Sequence, residues 1–181
     1  MENRLKESAS DRLGARNREF LKFIGVDNIK NKVILDIGCG FGWFEYYNRK
    51  IAKKIWAMDN DKKHINADIN FFNDKNIVFI NASALKIPLK NMSVDVVVAS
   101  ELIEHLPQNM ENVFFREINR VLVKNGKLFL STPNSDWRSK LLDPAWYFGH
   151  RHYDYKYLSK IALENNFKLS SYQISGSWWS L

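Results

Sequence analysis

Short apolar runs recur along the chain, separated by polar or glycine-rich breaks and by stretches of helical periodicity. Val33–Ile37, Lys54–Met58, Ile77–Ile80, Asp95–Ala99 and Lys127–Ser131 are brief and rich in β-branched residues, which predicts strands, and Lys168–Ser175 is read as a sixth. Between them the apolar period lengthens to that of a helix. Met110, Val113, Phe114, Ile118, Val121 and Leu122 share one face, with Asn125-Gly126 as the expected helix stop. Tyr157, Leu158, Ile161 and Ala162 form a second such face behind an Asp154 cap. Near the start, Asp11 is read as the cap of a helix carrying Leu13, Phe20, Leu21 and Ile24 on one side, followed by a polar turn over Asn28–Lys32. Strands alternating with helices predict a three-layer α/β domain, its mainly parallel sheet covered on both faces.

The most informative break follows the first strand. Val33-Ile-Leu-Asp36-Ile-Gly38-Cys39-Gly40-Phe-Gly42 runs from a buried strand into glycines at alternate positions, with a helix opening near Trp43. Glycine lets a chain turn sharply and approach a ligand with no Cβ in the way, and the helix that follows presents free N–H groups. The next strand ends at Asp59, where a doubly wound sheet places an acid beside the glycine turn, able to accept a ribose diol. The spacing is G-x-G-x-G, whereas the dinucleotide fingerprint is G-x-G-x-x-G. An acid two positions before the first glycine suits a ligand with a free ammonium group, which NAD lacks.

Composition narrows the class without naming a substrate. The 181 residues fit one domain, read as 1–181, with an N-terminal helical lid over 1–30 and an acceptor loop over 134–153. Hydrophobic residues make up 45% and charged residues 26%, ordinary values for a soluble domain, and no apolar run reaches the roughly 20 residues of a membrane span. The polar Met1–Lys6 start does not read as a secretory signal, and the single cysteine, Cys39, fits a cytoplasmic location. A net charge of +7 suits an anionic partner or simply a soluble surface. The basic residues are scattered, which argues against nucleic acid.

The stretch Val33–Gly42 resembles motif I of the class I S-adenosylmethionine-dependent methyltransferases, of the type 11 or ubiquinone-pathway kind. The likeness continues through Trp56-Ala-Met-Asp59, Ala82–Pro88, Asp95–Leu106, Glu117–Gly126 and Leu130–Asn134. The resemblance implies a Rossmann-like fold, S-adenosyl-L-methionine as cofactor and S-adenosyl-L-homocysteine as product. By it, Gly38, Cys39 and Gly40 pass against the methionyl part, Asp36 helps hold the ammonium and Asp59 takes the ribose. Asn60, Ser83 and Ala84 border the adenine, and Ser100 lies near the methionyl end. Ser83 stands where the family often has an aspartate, and no seventh strand is evident.

Glu101, Glu104 and His105 fall at i, i+3 and i+4, so on a helical turn they would share one face. That suits His105 as a general base oriented by Glu104, or the three as ligands to a divalent cation, with a further histidine from His150 or His152. The resemblance includes relatives of both kinds. Aromatic and basic residues of the acceptor loop (Trp137, Arg138, Trp146, Tyr147, Phe148, His150, Arg151), with Trp178 and Trp179, are read as an acceptor lid or membrane-facing surface. The alternatives are a loop that packs its own aromatics and a final strand with Trp178 and Trp179 under the sheet edge. Arg12, Arg16 and Arg18 would close the site from the other side. The function expected is O-methylation of a small-molecule or lipid-linked acceptor; RNA-directed methylation and a non-catalytic cofactor-binding subunit are the alternatives.

Overall fold

In a computed structural model, residues 14–134 and 151–174 are described. The elements run α1 (Ala15–Ile24), a 3-10 turn (Val26–Asn28), β1 (Val33–Ile37), α2 (Trp43–Asn48), β2 (Lys54–Asp59), α3 (Lys62–Phe71) and β3 (Ile77–Asn81). There follow β4 (Val94–Ser100), a 3-10 turn (Ile103–His105), α4 (Glu111–Val121), β5 (Leu122–Ser131) and α5 (Tyr155–Glu164). The five strands form one parallel sheet in the order β3-β2-β1-β4-β5. Chain order reverses between β1 and β4, and ligands of such sheets bind at the carboxyl ends beside that point.

Alternation along the strands explains the three layers. Leu35, Ile37, Met58, Val97 and Ala99 face one way and pack with Phe114, Phe115, Ile118 and Val121 of α4 and Ile161 of α5. Ile34, Ile55, Ala57, Val96 and Val98 face the other way, against Phe20 and Ile24 of α1, Phe44 of α2 and Ile65 of α3. Each fully buried Val, Leu, Ile, Met or Phe among them contributes roughly 1.5–3 kcal/mol. Asp36 occupies a position of the second set, and that choice shapes the site.

Three local expectations change. The helix ends at Val121, and Asn125-Gly126 lies inside β5 as an irregularity: Val94 pairs with Leu122 but Val96 with Lys127. Asn125 takes φ 62°, the left-handed conformation that a helix stop also uses, so the dipeptide reads the same in sequence for both outcomes. Residues 168–174 are not a strand; they are exposed, with Leu169, Tyr172 and Ile174 more than half accessible, and so lack the packed face that a strand requires. Ser175 lies outside the described residues. The first helix has Gly14 as its N-cap, Asp11 and Leu13 being outside the described residues, as are residues 1–13 of the lid in general. The Asp154 cap is present, its carboxylate accepting the Tyr157 N–H at 2.8 Å. No helix among the described residues is long and apolar enough to cross a membrane.

Candidate active site

The parallel register lines up the carboxyl ends of the five strands. Ile37 pairs with Met58 and Ala99, Asp59 with Asn81, and Ser100 with Ser131. The glycine turn therefore has Asp59 on one side and Ser100 on the other. Gly38 and Cys39 donate their N–H groups to the Met58 carbonyl at 2.7 and 3.1 Å, folding the turn over the end of β2.

Two glycines of the turn do different work. A Cβ on Gly42 would lie 2.5 Å from the Phe72 ring, and the residue caps α2 at φ 69°. A Cβ on Gly40 would meet nothing within 4 Å, so the space above this residue is open. Its own N–H donates to Asp59 Oδ2 at 3.0 Å, while Asp59 Oδ1 accepts the Asp61 N–H at 2.7 Å. The acid of β2 is thereby oriented by two amides, and a carboxylate retains lone pairs for further donors such as a ribose diol. His64 Nδ1 stands 3.5 Å from Asp59 Oδ2, and the Phe41 ring packs edge-on against His64.

Asp36 is almost fully buried beside the turn. Burial, and behind it the Asp59 charge, push its carboxyl up to about 7, with Glu45 acting in the opposite direction. The same burial pushes the Cys39 thiol up, helped by the surrounding carboxylates, so it stays protonated. Glu45 of α2 and Asp68 of α3, both without accessible surface, complete this acidic floor, and sequence reading missed them. Their signal was weak: each is one acid on a short amphipathic segment, where acids ordinarily face solvent.

Of the three residues expected to border an adenine, Asn60 and Ser83 are exposed, and Ala84 is buried within the core cluster. Ser83 Oγ accepts the Leu85 N–H at 3.2 Å, a turn-forming contact. The loop is fixed from below by Arg120, which donates to the carbonyls of Ile87 and Leu89 at 2.7 and 2.8 Å and pairs with Glu117 at 2.8 Å. Glu117 in turn accepts the Ile87 N–H.

After β4, Glu101 adopts φ 50°, and helical geometry is confined to Ile103–His105. Glu101, Glu104 and His105 therefore do not share a helix face, which corrects the spacing argument. Glu101 accepts from Ser131 Oγ at 2.9 Å and from Arg16 of α1 at 2.9 Å, and Ser131 Oγ meets Ser100 Oγ at 3.1 Å. Glu104 is buried and accepts the Thr132 hydroxyl at 2.9 Å, whereas His105 is exposed. Among the described residues no group of three His, Cys, Asp or Glu side chains is placed to hold a metal ion; His150 lies outside them.

The end of the expected acceptor loop acts as a staple. Arg151 pairs with Glu111 and donates to the carbonyls of Ile103, Glu104 and Leu106, and Tyr153 donates its hydroxyl to Glu111 at 2.8 Å. These residues immobilise the turn that carries Glu104 and His105. Trp137, Arg138, Trp146, Tyr147, Phe148, Trp178 and Trp179 lie outside the described residues.

Comparison with known proteins agrees with this geometry. Residues 35–130, more than half of the chain, match the family model described as a methyltransferase domain. A Mycobacterium tuberculosis protein named "Probable S-adenosylmethionine-dependent methyltransferase" is 35% identical over 101 residues, 56% of this chain and 35% of that protein. The ubiquinone biosynthesis O-methyltransferase of Pelagibacter ubique is 29% identical over 113 residues, 61% of this chain and 46% of that enzyme. The chain thus spans between a third and a half of the length of these curated relatives. The crystal structure of a SAM-dependent methyltransferase from Aquifex aeolicus superposes with a TM-score of 0.68 at 20% identity, covering 91% of this chain and 87% of that one. An open-sided glycine turn, an amide-oriented acid on β2 and a buried acid on β1 fit the ribose and ammonium of that cofactor. The chain belongs to the methyltransferase-domain family, that of the class I S-adenosylmethionine-dependent methyltransferases.

Proposed function

We propose that this domain transfers the methyl group of S-adenosylmethionine to an oxygen of a small-molecule or lipid-linked acceptor. The observation that carries the reading is the Gly40–Asp59 junction, which sets a diol-binding acid beside an open glycine turn at the sheet's reversal point. On this reading Asp59 holds the ribose, Asp36 the ammonium, and Asn60, Ser83 and Ala84 border the adenine. Gly38, Cys39, Gly40 and Ser100 line the methionyl end. The bound cofactor supplies an electrophilic methyl on a sulfonium, already activated for displacement.

The protein's remaining tasks are to align the acceptor and remove its proton. An acceptor oxygen must sit about 3–3.5 Å from the methyl carbon, in line with the leaving sulfur. His105, exposed on a turn that Arg151 and the Glu104–Thr132 bond hold rigid, accepts the hydroxyl proton. Glu104 acts through the turn, as a positioning residue, and not as a free carboxylate. The 29% identical ubiquinone-pathway O-methyltransferase supports oxygen as the acceptor atom, and the +7 net charge supports an anionic acceptor. A cytoplasmic domain that meets lipid-linked acceptors at a membrane surface is consistent with both. Transfer of labelled methyl from the cofactor to catechols, polyprenyl phenols, free amines and RNA tests the assignment. Labelling of the phenols alone is the expected result, and labelling of amines or RNA in their place would replace it.

A further inference from the structure

Resting on the cofactor reading above, we infer that the buried carboxyl cluster beneath the glycine turn releases a proton when the cofactor's ammonium end seats on Asp36, with Glu45 as the residue that sets this coupling. The cluster brings together groups from every element packed there. Asp36 comes from β1, Cys39 from the turn, Glu45 from α2, Asp59 from the end of β2, and His64 and Asp68 from α3. Glu45 has no accessible surface, and its carboxyl hydrogen-bonds that of Asp36, a contact two ionised carboxylates cannot make. Asp68 Oδ1 is buried without a partner, while its Oδ2 takes only the Cys39 thiol at 3.9 Å. The charges bearing on Glu45 are those of Asp36 and Asp68, both negative, and among the described residues no lysine or arginine acts on these carboxyls.

Several adjacent carboxylates cannot all ionise in such a site without a counter-charge. Burial followed by the Asp36 and Asp68 charges holds Glu45 well above the carboxylate range, and Asp36 and Asp68 are pushed up to about 7 and about 8. The cluster titrates as a unit, with protons shared among its members. The free domain at neutral pH therefore stores protons under the turn. A cation arriving at Asp36 supplies the missing counter-charge, favours the ionised form, and sends the displaced proton to solvent. Ligand affinity then climbs with pH through the range in which the free cluster loses that proton, by about tenfold between pH 6 and pH 8 for one proton released near pH 7.

Calorimetry of the full chain in phosphate and in Tris, whose ionisation heats differ widely, reads the proton directly. S-adenosylmethionine and S-adenosylhomocysteine carry the ammonium; 5′-methylthioadenosine keeps the nucleoside and lacks it. The expected result at pH 7 is a buffer-dependent enthalpy for the first two ligands only, with affinities rising about tenfold from pH 6 to pH 8 while that of methylthioadenosine stays level. Glu45→Gln places a permanent amide donor beside Asp36, keeps it ionised in the free domain, and so removes most of the proton release. Asp68→Asn reduces it as a second, independent variant. Buffer-independent enthalpies, equal release with methylthioadenosine, or unchanged release in both variants would overturn the inference. Failure of all three nucleosides to bind would instead overturn the cofactor reading beneath it.

Discussion

Asp59 Oδ2 accepts the Gly40 N–H at 3.0 Å, so the acid that ends β2 is bonded to the glycine turn that follows β1. Through this contact the regions proposed to anchor the cofactor's ribose and methionyl parts share one junction. A disturbance of the turn is therefore felt at Asp59 as well.

The neighbouring glycines separate binding from folding. Gly42→Ala puts a methyl within 2.5 Å of the Phe72 ring at φ 69° and is expected to cost about 2–4 kcal/mol of stability in urea unfolding. Gly40→Ala meets open space, so it is expected to lose only about 1–2 kcal/mol from its φ of 57°. Its methyl enters the open space proposed to take the cofactor, so nucleoside affinity should drop tenfold or more. Equal stability losses in the two variants would contradict this division.

Stability should decline as pH rises through neutrality. Asp36 and Asp68 titrate near 7 and 8 in the fold against an ordinary value of 3.8, so the folded state binds more protons over that interval. Their protonated forms favour the fold at low pH, and this advantage fades as pH climbs from about 4 to about 8. Urea midpoints at pH 5.5, 7 and 8.5 should fall in that order for the free protein. Glu45→Gln, by keeping Asp36 ionised at lower pH, should flatten the decline.

Arg120→Ala should loosen the loop after β3. The guanidinium spans Glu117 and the carbonyls of Ile87 and Leu89, and its side chain is only 29% exposed. Loss of these charge-assisted bonds is expected to cost about 2–3 kcal/mol. The Arg120 hydrogen bonds also hold Glu117 below the usual carboxylate range, which adds stability that disappears as pH falls below about 4. Hydrogen exchange should show residues 84–90 losing protection in the variant, and unchanged exchange there would refute the clamp.

The glycine turn, the acid after the second strand and the mainly parallel sheet were legible because each leaves a local pattern in the sequence with few solutions. The Asn125-Gly126 irregularity was not, since helix stop and bulge both need a left-handed residue. The grouping of Glu101, Glu104 and His105 failed for a related reason. Their spacing implies one face only if the backbone is helical, and Glu101 at φ 50° breaks that condition. Glu45 and Asp68 escaped notice because their burial depends on how α2 and α3 pack on the sheet, a tertiary fact that no local pattern carries. Arg151, read as part of an acceptor lid, donates to backbone carbonyls of the turn after β4.

His105→Ala should lower the turnover of a phenolic acceptor about 10²–10⁴-fold, the range for losing a general base. Cofactor affinity should be unchanged, because His105 is exposed on the turn after β4 and is not among the residues proposed to hold the cofactor. Partial recovery as pH rises, when the phenol ionises unaided, would mark proton removal as its role. Full activity in the variant would assign the proton to another acceptor.

The most direct test is calorimetry of S-adenosylmethionine and NAD against the wild-type protein, Asp59→Ala and Asp59→Asn, with circular dichroism confirming that each variant is folded. S-adenosylmethionine should bind the wild type with a Kd on the order of micromolar, about −8 kcal/mol, and NAD should not bind. Both variants should weaken S-adenosylmethionine roughly tenfold or more through loss of the charged diol acceptor. Tight NAD binding, or folded variants that hold S-adenosylmethionine as well as the wild type does, would contradict the site described here.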